Sequence, residues 1–360
     1  MQMTPEGAHA GATTRNEPAR SDPQSIGSAQ QVTVITVTYG DRWAYLSQLL
    51  AFAAAQPTVR RVVVVDNNSA QPVARLVEQA GHAHFVTVLT EPRNSGSAAA
   101  FGKALRYVVE QGDPGFVYLL DDDNLPEPDA IPKLLERTAG MASGDVLLSL
   151  RKNRQYLMDA VNHRQNLRYR LNAFCGNEIW SSIGRRIGLS RPAPKTPLPA
   201  GVDIESDFAP YGGMLFSADL PRRVGYPNAD YFVYADDYEY VCRIRAAGGT
   251  VRLCPDSVIA DLEEVWFDAD RNGHGVPAWF SPGSTDFRVF YSVRNRVALE
   301  RAWLVTRPVP YFAGGFVFVM MQAIKALRYG VQPKFMWHRL KLLWRATRCG
   351  WRGDLGEARL

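Results

Sequence analysis

Between Gln31 and Leu120 two kinds of apolar pattern alternate. "QVTVITVTYG" (31–40) and "VRRVVVVDNNS" (59–69) are β-branched runs, and the second is nearly continuous, as expected of a strand buried on both faces of a parallel sheet. "DRWAYLSQLLAFAAAQ" (41–56) between them has helical spacing. "PVARLVEQAG" (72–81) reads as a helix, "HFVTVLT" (84–90) as a strand, "SAAAFGKALRYVVEQG" (97–112) as a helix and "FVYLL" (116–120) as a fourth strand. The alternation predicts an α/β domain, a mostly parallel sheet with helices on both faces and right-handed crossovers.

Such sheets bind ligands at the carboxyl ends of their strands, so the residues after each strand are candidates. They are Thr38, Tyr39 and Asp41; Asp66, Asn67 and Asn68; Arg93, Asn94 and Gly96; and Asp121, Asp122 and Asp123. Each group alone also reads as turn and cap chemistry, but four polar strand ends converging on one rim point to a site. Three consecutive carboxylates repel one another unless something positive lies between them. Asp121 and Asp123, one residue apart, can both address a hard divalent cation that keeps positions open for diphosphate oxygens. Asp122 then faces elsewhere, toward a ribose or a backbone donor.

The second half is less regular. Residues 150–200 read as long loops around short helices, and "YFVYADDYEYVCRIRAAGGTVRLCPDSVIADLEEVWF" (231–267) as loop, helix, turn and strand. From about 285 the chain is helical, aromatic and basic. The expected divisions are a flexible leader (1–30) without the apolar run of a signal peptide, a catalytic domain (31–284) and a C-terminal helical region (285–360). The apolar run 311–321 is about half of what crosses a bilayer. "KFMWHRLKLLWRATRCGWR" (334–352) puts Phe335, Met336, Leu340, Leu343 and Trp344 on one face and Arg339, Lys341, Arg345 and Arg348 elsewhere. That pattern suits an interfacial helix on anionic lipid, or a helix packed on its own domain or on a second copy in a homo-oligomer.

At 360 residues and 46% hydrophobic content the chain can bury a large core, and its net charge of +5 asks for an anionic partner. Because the excess lies mainly in the tail, a membrane surface is the better reading and nucleic acid the weaker. Four widely spaced cysteines form neither a metal pattern nor a disulfide framework, which fits a reducing compartment. The expected location is cytoplasmic, peripheral on the inner face of the cell membrane.

The succession "VVVVDNNS", "RNSGSA", "LLDDDN", "ADDYEY" resembles the inverting family 2 glycosyltransferases of the GT-A nucleotide-diphosphosugar fold. "FRVFYSVRNR" is similar to the Tyr-x-x-Arg-Asn stretch of the galactofuranosyl- and rhamnosyltransferase branch. The resemblance covers roughly residues 31–300. It implies that Thr38 and Tyr39 lie against the nucleobase, that Asp66 bonds base or ribose, that Asn94 and Gly96 let the backbone approach the nucleotide, and that Asp41 and Asp122 belong to the donor site. It further implies Mg²⁺ or Mn²⁺ on Asp121 and Asp123, a donor such as UDP-galactofuranose or dTDP-rhamnose, and a lipid-linked or glycan acceptor. In-line displacement needs a base on the face opposite the leaving group; the resemblance favours Asp237, with Asp236 as the rival. Where many relatives carry a histidine metal ligand this chain has Asp261; the alternatives are His274 or no third protein ligand.

Other functions are weighed against the same residues. A haloacid-dehalogenase-like phosphatase wants Thr or Val where Leu125 stands, and a sugar nucleotidyltransferase wants a glycine-rich basic loop that "TVTYGDRW" lacks. A non-catalytic, membrane-associated nucleotide-sugar binding protein keeps the donor site and dispenses with Asp237.

Overall fold

The computed structural model describes residues 31–180, 197–199, 202–263 and 276–358; the leader 1–30 and His274 lie outside the described residues. Strands β1 (Val32–Gly40), β2 (Val59–Ser69), β3 (Val86–Thr90) and β4 (Phe116–Asp121) alternate with helices α1 (Trp43–Ala54), α2 (Val73–Gln79) and α3 (Gly96–Gln111), as the apolar periods predict. There follow β5 (Asn124–Pro126), α4 (Ala130–Arg137), β6 (Val146–Arg151), α5 (Gln155–His163), β7 (Ile204–Glu205), β8 (Met214–Ser217), α6 (Leu220–Val224), α7 (Asp236–Ala246) and β9 (Val251–Asp261). Three helices close the chain: α8 (Asp286–Trp303), α9 (Pro308–Arg328) and α10 (Pro333–Arg352).

The sheet runs β3-β2-β1-β4-β8-β6-β9-β5, with β7 paired to β9. It is parallel from β3 to β4 and then becomes mixed, because β8 inserts antiparallel between β4 and β6. Successive residues of β1 serve opposite faces. Ile35 and Val37 join Phe101, Leu105 and Val108 of α3 and Tyr240 and Ile244 of α7, while Val34 joins Leu46, Leu49 and Leu50 of α1 and Leu134 of α4. All four parallel strands therefore end on one edge, where β1 stops beside Asp66 and β4 at Asp121.

A third core forms where α8 buries Phe290, Val293 and Val297 against Leu342, Leu343 and Ala346 of α10. This corrects the face predicted for residues 334–352: Leu343 is buried in the protein, and so is Arg339, which pairs with Asp286 at 2.6 Å. The apolar segment also extends beyond 311–321. α9 has 21 residues and is long and apolar enough by length and composition to cross a membrane. Yet Tyr311, Gly314, Gly315, Ala323 and Ala326 face the protein body, with a Cβ on Gly315 only 2.7 Å from the Phe174 ring.

Gly96 joins the two halves of the fold. Its φ is +82°, and a Cβ there would lie 2.1 Å from the carbonyl oxygen of Phe232, which also accepts a hydrogen bond from Ala98 N at 3.2 Å. Gly96→Ala must displace that backbone, so we expect it to cost about 2 kcal/mol or more of unfolding free energy in denaturant titration. Wild-type stability in the variant would contradict this contact.

Candidate active site

Asp121 ends β4 and Asp122 and Asp123 form the turn into β5, so the three carboxylates leave the strand in different directions. Asp122 is 3% exposed and turns to Arg42, whose Nε lies 2.9 Å from both of its oxygens. Arg42 also reaches Asp123 at 3.4 Å and Glu263 at 2.5 Å, and its guanidinium lies 5.3 Å from the Tyr39 ring centroid. Burial opposes the charge on Arg42, but Asp122 and Glu263 more than offset it and hold the guanidinium protonated. Burial lifts Asp122 to about 6 even though Arg42 and Thr38 pull it down. Asp123, lifted first by burial and then by Asp121 and Asp122, reaches about 7.

A second arginine holds the other side. Arg151, at the end of β6, donates to Asp121 at 3.1 Å and to Asp261 through Nε at 2.7 Å. Arg154 Nε completes the cover of Asp261 at 2.9 Å, and Asn124 Nδ2 donates to it at 3.1 Å. With its side chain 1% exposed and both oxygens accepting from guanidinium groups, Asp261 serves here as an ion-pair acceptor. Gly212 makes room for this cluster, since a Cβ there would lie 2.1 Å from Asn124 Oδ1 and 2.9 Å from Asp121 Oδ2.

Among the described residues no group of three or more His, Cys, Asp and Glu side chains is arranged to hold a metal. Asp121 and Asp123 nevertheless fit a hard divalent cation. They are oxygen donors one residue apart, and Asp123, pushed up chiefly by burial, is pushed further by the negative charge of Asp121 and Asp122.

The structure brings the other predicted donor-site residues to the same edge, several of them already engaged. Thr38 is buried and hydrogen-bonds Asp122, whereas Tyr39 is 49% exposed. Asp41 is exposed and accepts from Gln71 Nε2. Asp66 Oδ1 accepts from Ser69 N at 2.9 Å, closing its own turn. Asn94 Oδ1 accepts from Gly96 N at 2.9 Å and from Asn67 Nδ2 at 3.1 Å. On the side where a Cβ would stand, the approach that Gly96 permits is that of the 232 carbonyl.

That carbonyl belongs to the loop that presents the remaining carboxylates. Phe232, Tyr234 and Ala235 have φ of 65°, 67° and 59°, three positive values on either side of Val233 without a single glycine, immediately before α7. Asp236 is 2% exposed and accepts from Ser97 Oγ at 2.9 Å, while Asp237 is partly exposed and accepts from Tyr238 N at 2.8 Å. Burial raises Asp236 to about 6. Asp237 is pushed well up by burial and then by Asp236, and the charge of Asp121 adds to the rise of both. The Asp-x-Asp and the Asp-Asp pair thus share one electrostatic site.

A Rossmann-like parallel half, an Asp-x-Asp at the end of its fourth strand and a mixed second half define the GT-A fold. Residues 33–188 match the model of Glycosyl transferase family 2. No curated protein matches the chain. Among solved structures, GalNAc-T7 with UDP, GalNAc and Mn²⁺ aligns at a TM-score of 0.53 and 12% identity, over 90% of this chain and 56% of that one. The mannosyltransferase PcManGT of Pyrobaculum calidifontis, in complex with GDP-Man and Mn²⁺, aligns at 0.48 and 17% identity over 91% and 88%. TarS 1-349 of S. aureus aligns at 0.45 and 12% over 90% and 91%. At these identities the likeness concerns the fold.

Because the folded pKa of Asp236 lies above the ordinary carboxylate value, its contribution to stability is complete below about pH 4 and lost as pH rises through about 6. We expect Asp236→Asn to raise the melting temperature of the ligand-free protein at about pH 7.5, with the gain shrinking toward about pH 5. A gain independent of pH would contradict the buried, proton-favouring environment.

Proposed function

We propose that the chain is an inverting glycosyltransferase that moves a sugar from a nucleoside-diphosphate donor to a hydroxyl of a lipid-linked or glycan acceptor. The observation that carries this reading is the convergence of Asp121 and Asp123 with Asp236 and Asp237 on one rim, where Asp121 is close enough to perturb both members of the second pair. One pair suits the diphosphate end of a donor and the other the attacking hydroxyl. A divalent cation on Asp121 and Asp123, Mg²⁺ or Mn²⁺, would neutralise charge developing on the leaving diphosphate. Asp237 takes the proton of the acceptor hydroxyl as its oxygen bonds to the anomeric carbon and the bond from that carbon to the diphosphate breaks. Its raised pKa makes it a stronger base once ionised. Arg42 and Arg151 hold the carboxylates in place. The motif resemblance favours UDP-galactofuranose or dTDP-rhamnose as donor, and residues 31–284 as the catalytic domain.

A panel of UDP-, dTDP- and GDP-sugars with Mg²⁺ or Mn²⁺ tests the reading through nucleotide release and glycan product. We expect Asp237→Asn to keep donor affinity and lose about 10²-fold or more in kcat, and EDTA to abolish turnover. A fully active protein in EDTA sinks the metal role, and loss on Asp236→Asn alone moves the base to Asp236. Donor binding without any transfer would favour the non-catalytic binding protein.

We also place the membrane contact on α9 rather than on the face of α10 first expected. Val309, Phe312, Phe316, Ile324 and Leu327 recur at helical spacing along its outer side, with Val309 80% and Phe316 67% exposed. From Arg301 to Arg352 the sequence contains lysines and arginines but no Asp or Glu, which suits an anionic surface. Because α9 packs on the protein along its inner side, it lies on the bilayer in this reading and does not cross it. Phe316→Ser with Ile324→Ser should lower flotation with anionic liposomes about tenfold or more at unchanged melting temperature. Absence of binding by the parent protein would discard the membrane role.

A further inference from the structure

We propose that Asn295, oriented by Arg294, is a positioning residue that latches the left-handed loop presenting Asp236 and Asp237. Asn295 is fully buried in α8, and its Nδ2 faces the carbonyls of Tyr231 at 2.7 Å, Val233 at 2.7 Å and Tyr234 at 3.0 Å. An amide nitrogen carries two protons, so three carbonyls share them and the loop is gathered around one atom. Arg294 Nε donates to Asn295 Oδ1 at 2.8 Å, which fixes the end of the amide that faces the loop. Arg294 also reaches Tyr231 O at 3.2 Å and, through Nη1, Gly356 O at 2.6 Å.

The loop has reason to need a latch. Phe232, Tyr234 and Ala235 occupy a region that L-residues with a Cβ avoid, and such a conformation persists only where its surroundings over-determine it. From the opposite side the start of α3 holds the carbonyl of Phe232 through Ala98 N, and Ser97 Oγ reaches Asp236. Asn295 supplies the only interaction described here that engages three of the loop's carbonyls at once. If it is lost, the turn can relax toward ordinary φ values, and the direction in which Asp237 leaves the chain changes with it. The Nδ2 of Asn295 donates to backbone alone, so the residue acts through the carboxylate; the role rests on Asp237 being the base.

The test uses the full chain carrying Asn295→Asp, which is nearly isosteric and replaces the donors by a carboxylate; Asn295→Ser serves if the first variant does not fold. Hydrogen exchange should rise about tenfold or more in amides 231–237 while those of the β2 core stay protected. With the donor found active on the panel, kcat should fall about tenfold or more and donor KM change less than about threefold. In the Asp237→Asn background the same substitution should cost nothing further, because a residue acting through an absent base has no effect left to lose. Unchanged exchange overturns the latch, and a loosened loop with wild-type kcat, or losses that multiply in the double variant, overturns the positioning role. A parent protein inactive with every donor sinks the transferase reading instead, and exchange alone then decides the latch.

Discussion

Negative charge crowded onto one edge of the sheet is the constraint around which the rest of this molecule is arranged. Six aspartates, Asp121, Asp122, Asp123, Asp236, Asp237 and Asp261, gather where the parallel strands end, and burial alone would make several of them costly to ionise. The compensation comes from elements distant in sequence. Arg42 enters from the start of α1 and Arg151 from the end of β6, each held protonated against burial by its acidic neighbours. Compensation is partial: both oxygens of Asp261 are held by arginines, while Asp122, Asp123, Asp236 and Asp237 all keep raised proton affinity.

The helical region is tied to this edge by a second buried ion. Glu300, inside α8, is fully buried and accepts from Cys175 N, Gly176 N, the Tyr311 hydroxyl and Arg296, at 2.6 to 2.9 Å. Arg296 in turn lies within 6 Å of the ring centroids of Tyr169 and Tyr238, the latter next to Asp237. One carboxylate thus connects α9, the 172–176 segment and the aromatic wall beside the site. Such a group is satisfied only when every donor is present, which makes the arrangement intolerant of partial assembly.

How much of this was legible depends on the range of the interaction. β1 to β4 and their helices follow from periods within a few residues, and so does the polar rim at their ends. β5 and β8, of three and four residues, are too short to have a period, and β8 reverses direction through contacts alone. The partner of the triple aspartate was missed for the same reason. Arg42 sits in plain view in "YGDRW", but its pairing spans 80 residues, and that of Arg151 with Asp261 spans 110. Arg339 looked like a surface cation because nothing nearby in sequence hints at Asp286. Asn295 was visible only as part of a family-like stretch, and its three carbonyl partners could not be read from "YSVRNR".

The segment after α10 returns to this loop. Gly356 N donates to Asp230 O at 2.6 Å, its carbonyl accepts from Arg294, and Ala358 N donates to the Tyr291 hydroxyl at 2.7 Å. During synthesis the parallel half can form its local contacts long before residues 354–358 leave the ribosome. The loop before Asp236 cannot acquire its full set of restraints until they do. A growing chain therefore presents the aspartates of β4 before the loop that carries the facing pair has all of its restraints, although Ala98 and Ser97 of α3 can already hold Phe232 and Asp236.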